Sequence, residues 1–299
     1  MDELLSYGLL TFATLALPAL GLCLAIKVTK YFNLTYGDVI TSGAFLALLF
    51  NLTFGMHIFL ALIIAMALTA LLGVILHKVV FKPLMDLKVG PLTLLVVSLG
   101  AGFIVRNLIL IGWGPQPYQF KIPLARAKHM GPLFLTTNQF FIILICILVA
   151  VGIFLMLRYT HLGRLMRATS DNPELSKIRG IAVERVYVYT WIIACALAAL
   201  GGIFMGTLGT IKSGMGIGVL VTIFACLIVG GIDNPYGAVF GALIIAFAME
   251  ATAIWLSPPY KVLAAYLLMV IILLVKPSGI LGGEKIQWKY FLGFLRSQQ

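Results

Sequence analysis

Charged residues are scarce in this sequence, and acidic residues are the scarcest of them. Only ten of the 299 residues are Asp or Glu, and 10% are charged in all, whereas 62% are hydrophobic. Soluble globular domains carry about 25% charged residues. The mean hydropathy of +1.09 points the same way. The composition therefore excludes a soluble globular protein and indicates a membrane protein.

The sequence also lacks the motifs of common catalytic and metal sites. It has no HExxH motif, no G-x-S-x-G motif and no Cys/His cluster at metal spacing. GTLGTIKS has no glycine directly before Lys212, so it is no P-loop. The four cysteines fall within apolar runs, where a thiol usually serves as a small buried hydrophobe: Cys23, Cys146, Cys195 and Cys226. We expect no enzyme site, metal or cofactor, and any ATP must be bound by a partner.

Nine apolar runs divide the chain, and most are long enough to cross a bilayer as helices. A spanning helix needs about 20 apolar residues, and the runs lack the alternation typical of barrel strands. The runs cover 5–26, 36–52, 57–80, 91–112, 138–157, 186–209, 217–232, 236–256 and 262–275. We predict one all-α polytopic membrane domain over residues 1–299. It has eight or nine transmembrane helices, including broken or re-entrant elements.

The distribution of Lys and Arg predicts the orientation, because cytoplasmic loops are enriched in these residues. We take segment 158–185 as cytoplasmic and let successive runs cross the membrane in alternating directions. One of the two runs 217–232 and 236–256 is assumed not to cross completely. Then 15 of the 21 basic residues are cytoplasmic and five are external. The N-terminus lies outside, the C-terminus lies in the cytoplasm, and the proline-rich loop 113–137 is external. The net charge of +11 is spread over these loops, which argues against nucleic-acid binding.

Segment 158–185 is a polar stretch between two apolar runs, and it contains the pattern of a short capped helix. Asp171 stands three residues before Glu174, Pro173 falls in the first turn, and Gly180 suits a helix end. We predict a helix over 173–179. A two-turn helix is marginal in water, so it packs on this protein or on a partner. The residues alone leave open an ordinary solvated loop helix.

Five ordered segments resemble the branched-chain amino acid ABC permeases of the LivH/LivM type. GRLMRATSDNPELSKIRGIAVERV (163–186) is similar to their cytoplasmic loop, and NLTYGD (33–38) to the element after their first span. SLGAGFIVRNLILIGWGPQPY (98–118), LIVGGIDNPYGAVFGALIIAFAME (227–250) and LVKPSGILG (274–282) resemble three later segments. Each match is weak, but their order over nearly the whole chain makes the set specific.

The resemblance implies a permease subunit of an ABC importer in a bacterial-type inner membrane, working by alternating access. The partners it implies are ATPase subunits, a second permease subunit (identical or paralogous), an external solute-binding protein and membrane lipid. The short helix would be the coupling helix that docks on the ATPase. Its candidate contacts are Pro173, Glu174, Leu175, Ile178, Arg179 and Gly180.

Broken elements near 33–43 and 214–237 are the candidate translocation path, because irregular backbone at membrane depth must be shielded by protein or line a cavity. The candidate path residues are Asn33, Tyr36, Gly37, Asp38, Gly216, Gly230, Gly231 and Asn234. The family usually has histidine where Tyr36 stands and a neutral residue where Arg106 stands. These departures bear on the solute more than on the class of protein.

Charges inside membrane spans are costly and often functional. Asp38 is either a path residue or a charge favoured by the start of a helix, and Asp233 is expected in a turn. We expect Glu250 to pair with a cation or a backbone group. Arg106 has no neighbouring acid, so it snorkels, faces a cavity or reaches a distant acid. An Arg106–Glu250 pair is one hypothesis.

The leading interpretation is import of a branched-chain amino acid or a related small polar solute, powered by a separate ATPase. One alternative is an ABC permease for a nucleoside, sugar, urea or amide. Another is an ion-coupled secondary transporter that uses Asp38, Glu250 or Asp233 as its coupling acid.

Overall fold

Long apolar stretches form long helices here because a chain in lipid must satisfy its backbone hydrogen bonds internally. The computed structural model describes residues 2–122, 128–130 and 133–282. In chain order the helices are α1 (Asp2–Thr29), α2 (Thr35–Leu48), α3 (Ile58–Leu76), α4 (Lys82–Asp86), α5 (Pro91–Trp113), α6 (Thr137–Tyr159), α7 (His161–Asp171), α8 (Pro173–Ile178), α9 (Val183–Leu208), α10 (Met215–Gly230), α11 (Pro235–Trp255) and α12 (Lys261–Val275).

Short irregular elements extend or connect these helices. The π-helical turns Leu49–Thr53 and His77–Phe81 prolong α2 and α3, and the 3-10 turn Pro258–Tyr260 precedes α12. In loop 113–137, strands β1 (Lys128–Met130) and β2 (Leu133–Leu135) pair antiparallel, with Lys128 opposite Leu135. Residues 123–127 and 131–132 of that loop lie outside the described part of the chain.

Within the described residues, eight helices are long and apolar enough to cross a membrane. α10 has 16 residues and is shorter than these; at 1.5 Å per residue it is about 24 Å long. The structure thus confirms an all-α polytopic fold. The predicted count was eight or nine spans, and the ninth apolar run corresponds to α10, which is too short to be counted among the eight.

The centre of the bundle is formed by α1, α2 and α9, which are largely buried, whereas Ala265 is the one buried residue of α12. α2 contacts α3, α5, α9 and α10. α2 and α5 run in the same direction, because Thr35 bonds Ser98 near their starts and Phe45 contacts Trp113 further on. This agrees with two spans that are separated by a single crossing, α3.

One end of the bundle carries segment 158–185. Glu184 Oε1 lies 3.5 Å from Lys82 Nζ, which places the end of α3 beside the start of α9. At the same end a cavity of about 860 Å³ is lined by Lys27, Arg167 and Asp233 among others. We call this the basic end. The described residues of loop 113–137 lie at the opposite end.

α10 is held at both ends by glycine contacts. A Cβ atom on Gly216 would collide with the carbonyl oxygen of Gly37 in α2, and one on Gly230 would collide with that of Gly237 in α11. Small residues allow helices in membranes to approach this closely. The close packing of α10 against α2 and α11 therefore requires glycine at both positions.

The Gly216 contact gives a direct test, with Gly218 on the same helix as its control. We expect Gly216→Ala to destabilise the protein by about 1–3 kcal/mol, because an overpacked contact must open. Gly218 has open space at its Cβ position, so Gly218→Ala should be neutral or stabilising by up to about 1 kcal/mol. Thermal unfolding in one detergent measures both variants. Equal melting temperatures for the two would contradict the packing argument.

Candidate functional site

The polar segment 158–185 folds as two helices on the basic end. Thr160 caps α7 by accepting a hydrogen bond from the Gly163 amide at 3.2 Å. The buried residues of α7 include Met166 and Thr169, and its neighbours are α1, α6 and α9. Arg167 donates to the Leu157 carbonyl at the end of α6. α7 was not predicted, because its single apolar face is short and embedded in charged sequence.

α8 is the predicted short helix, but its cap differs from the prediction. Asn172 Oδ1 accepts from the Leu175 amide at 2.9 Å, so the assignment of the cap to Asp171 is wrong. Asp171 is the last residue of α7, while Asn172 has the extended backbone that a capping residue needs. The helix ends at Ile178 with Arg179 as its cap, and Gly180 at φ +80° terminates it as predicted.

α8 turns its apolar side chains away from the protein. Ile178 is 82% exposed and Leu175 is 47% exposed. Ser176 is buried, and its hydroxyl donates to the Ala168 carbonyl of α7 at 3.0 Å. The other coupling candidates, Pro173, Glu174, Arg179 and Gly180, are exposed or half-buried. α8 is therefore a capped helix, fixed to α7 on one side and open on the other.

The start of α2 is the second candidate site, and it is anchored by polar contacts to α5 and α9. Ser98 of α5 accepts from the Leu34 amide at 3.0 Å, and the Thr35 hydroxyl donates to the Ser98 carbonyl at 2.5 Å. Asn33 Oδ1 accepts from the Thr35 amide at 3.0 Å. The Tyr36 hydroxyl donates to the Ala194 carbonyl of α9 at 2.9 Å. The bonds from the Leu34 and Thr35 amides satisfy backbone donors at a helix start inside the bundle, and the two hydroxyl bonds fix that start to α5 and α9.

The start of α10 joins this site. The Gly216 amide donates to the Thr41 hydroxyl oxygen at 3.0 Å, and Gly216 abuts Gly37. Of the path candidates, Asn33, Tyr36, Gly37, Asp38 and Gly216 are therefore brought together.

The remaining path candidates lie at the other end of α10, about 21 Å from Gly216 at 1.5 Å per residue. Gly230 is the last residue of α10, and Gly231 follows at φ +111°. Asn234 caps α11 by accepting from the Tyr236 amide at 3.1 Å and donates to the Leu281 carbonyl at 2.8 Å. Asp233 lies in the turn between the helices, as predicted. This second group lies at the basic end.

Asp38 and Arg106 form a two-pronged ion pair between α2 and α5. Arg106 Nε lies 2.9 Å from Asp38 Oδ1, and Nη2 lies 3.2 Å from Oδ2. The carboxylate packs over Gly102, where a Cβ atom would displace it. The hypothesis of an Arg106–Glu250 pair is wrong, since the distant acid is Asp38. The sequence reading also missed Ser98 and Gly102, whose only signal is their small size on one face of α5.

Glu250 pairs with a cation, as predicted, at the end opposite to the basic end. Lys261 Nζ lies 2.7 Å from Glu250 Oε1, and the Thr11 hydroxyl donates to the same oxygen at 2.5 Å. This pair connects α1, α11 and the start of α12.

Comparison with known proteins agrees with this architecture. The model of the family described as branched-chain amino acid transport system, permease component, matches residues 4–273. The chain belongs to this family. Among curated relatives of this permease, LivH, the high-affinity branched-chain amino acid transport system permease protein of Escherichia coli K12, is 24% identical over 295 residues (94% of this chain, 95% of LivH).

Two further matches are more distant in function or in sequence. The guanosine ABC transporter permease protein NupQ of Bacillus subtilis 168 is 27% identical over 289 residues (87% of this chain, 88% of NupQ). A chain in the structure of PsaBC from Streptococcus pneumoniae in complex with Fab has a TM-score of 0.52 at 15% identity. The structural match covers 92% of this permease and 93% of the pneumococcal chain. This last likeness concerns the fold alone.

The corrected cap of α8 gives a prediction for the permease. Removal of a capping side chain costs about 1 kcal/mol, so Asn172→Ala should make the amides of 175–180 exchange about fivefold faster with solvent. Asp171→Ala is the matched control and should leave their exchange unchanged. Hydrogen–deuterium exchange with mass spectrometry measures both. Faster exchange in Asp171→Ala and unchanged exchange in Asn172→Ala would restore the original capping assignment.

Proposed function

We propose that this permease imports a branched-chain amino acid or a related small polar solute, and that a separate ATPase docks on α8 to power it. The family match over residues 4–273 supports the class. The feature that supports the docking site is α8, a capped helix whose Leu175 and Ile178 are exposed. Exposed apolar side chains beside charged ones suit a protein partner. The permease itself carries no ATP site in this proposal.

α8 is mechanically suited to transmit ATPase movement. Its neighbours in the chain are α7 and α9, and α7 is joined to the end of α6 by the Arg167–Leu157 hydrogen bond. Through Ser176, α8 is bonded to α7. A push on α8 is thus transmitted to two spanning helices, which can tilt as rigid bodies in an alternating-access cycle. In this proposal the basic end is cytoplasmic, the N-terminus is outside and the C-terminus is cytoplasmic.

The other partners follow from the same assignment. A second permease subunit, identical or paralogous, completes the pathway, and an external binding protein delivers the solute near loop 113–137. That loop is anchored to the bundle by paired backbone hydrogen bonds between Tyr118 and Ile211, at 2.8 and 2.9 Å. Ile211 lies just before α10, so the proposed docking face connects to the start of that helix. Solute would pass the α2–α10 junction and leave beside Gly230, Gly231 and Asn234.

A nucleoside is the second candidate solute, because the guanosine permease NupQ is also similar to this chain. The structure favours an ATP-driven importer over an ion-coupled secondary transporter. Asp38 and Glu250 are each bound to a cationic side chain, Arg106 and Lys261 respectively. Each carboxylate is thus already occupied by a cationic side chain, so neither is free to take up a coupling cation from outside. Asp233 is exposed in a turn.

The docking proposal predicts that one charged substitution on the exposed face of α8 abolishes ATPase binding. Ile178→Asp should prevent co-purification of the ATPase, because a carboxylate would have to be buried in the apolar contact. Leu256 is 71% exposed at the opposite end, and Leu256→Asp is the control that should retain the ATPase. Both variants should reach the membrane in normal amounts. Normal ATPase recovery with Ile178→Asp would contradict the assignment of α8.

The energy source and the solute can be tested in proteoliposomes that contain the whole importer. We expect leucine uptake to stop when ATP hydrolysis is blocked and to continue when the proton gradient is collapsed. Uptake that follows the proton gradient would establish secondary transport instead. Guanosine uptake without leucine uptake would keep the ABC mechanism and overturn the proposed solute.

A further inference from the structure

The Asp38–Arg106 pair lies deep in the membrane-spanning part of the bundle. Gly102, over which the Asp38 carboxylate packs, is the central residue of α5, eleven positions from either end. At 1.5 Å per residue it lies about 16 Å from both ends, which is the midpoint of a hydrocarbon core about 30 Å thick. Ionised groups at such a depth usually face a polar pathway or the interior of a bundle.

The two partners differ in exposure and freedom. The Asp38 side chain is 2% exposed, and the helix that carries it is anchored to α5, α9 and α10. The Arg106 side chain is 19% exposed, and its guanidinium carbon lies 5.3 Å from the centre of the Phe103 ring. Asp38 is therefore the fixed partner, whereas Arg106 has a long side chain that can swing away.

Apolar and polar groups suited to an amino acid lie on α5, on α10 and just before α2, the three segments that meet near this pair. Phe103 is 49% exposed beside Arg106, and Ile217 of α10 is 36% exposed. The Ile217 backbone touches Gly37, the residue before Asp38. Near the same helix start, Asn33 is 2% exposed and its amide nitrogen has no hydrogen-bond partner among the described residues. An unpaired buried donor is costly, and a carboxylate would satisfy it.

We propose that Asp38 and Arg106 bind the α-ammonium and α-carboxylate groups of an amino-acid solute, which replaces their mutual ion pair by two pairs. This inference rests on the proposed function. The exchange conserves charge, because a zwitterion and the Asp38–Arg106 pair are each neutral overall, and no unpaired charge is buried. The planar guanidinium matches a carboxylate in two-pronged geometry. The branched side chain would contact Phe103 and Ile217.

This arrangement selects for a zwitterion. A solute with only an ammonium group would leave Arg106 without an anion, and one with only a carboxylate would leave Asp38 without a cation. Each case buries an uncompensated charge. Such solutes should therefore bind less tightly than the amino acid of the same side chain.

The test uses the permease–ATPase complex in nanodiscs, without the binding protein, and radiolabelled leucine as the probe. We expect Arg106→Gln and Asp38→Asn to weaken leucine binding at least tenfold. Arg106→Lys keeps the charge but loses the planar fork, so it should lie between Arg106→Gln and wild type. Glu250→Gln breaks the other short buried ion pair and should stay within twofold of wild type.

Competition on the wild-type complex covers the case in which a variant fails to fold. 3-Methylbutylamine lacks the carboxylate of leucine and 4-methylpentanoate lacks the ammonium group. Each should compete with labelled leucine at least tenfold less well than unlabelled leucine. Unchanged leucine binding in Arg106→Gln, or equal competition by either analogue, would overturn the inference while ATP-driven leucine uptake still supported the proposed function. A wild-type complex that takes up only guanosine would overturn the proposed solute itself.

Discussion

The start of α2 within the bundle depends on polar groups from α5 and α9, and the rest of the candidate pathway depends on that helix start. A chain that begins a helix at membrane depth leaves amide groups which lipid cannot satisfy. Here Ser98 of α5 and Asn33 itself accept from the first amides, and Tyr36 is bonded to α9. Since these contacts hold α2 in place, Asp38 reaches α5 and Gly37 meets Gly216 of α10.

The spans themselves follow from local sequence, so they could be predicted. Twenty apolar residues in lipid have essentially one solution, a helix, and loop charge indicates how they alternate. α8 was predictable for a similar reason, because Pro173 and Gly180 act within one or two turns. The capping residue was misassigned since α7 extends through Asp171, and that depends on the packing of α7 against α1, α6 and α9.

The pairing of charges could not be read from the sequence. Arg106 and Asp38 are separated by 68 positions, and no local pattern in the sequence indicates which distant acid Arg106 reaches. The separation of the path candidates into two groups has the same origin. Gly216 and Gly230 look alike in sequence, yet one contacts α2 and the other contacts α11. Which glycine meets which helix depends on how α10 is placed between α2 and α11, and that is not encoded locally.

α10 gives these two groups a mechanical relation. Its 16 residues are in backbone contact with α2 at one end and α11 at the other, with no side chain between them to deform. The helix is therefore a rigid connection between these two contacts. We therefore expect a displacement of the turn at 231–234 along the axis of α10 to be passed to the start of α2, where Asp38 is held.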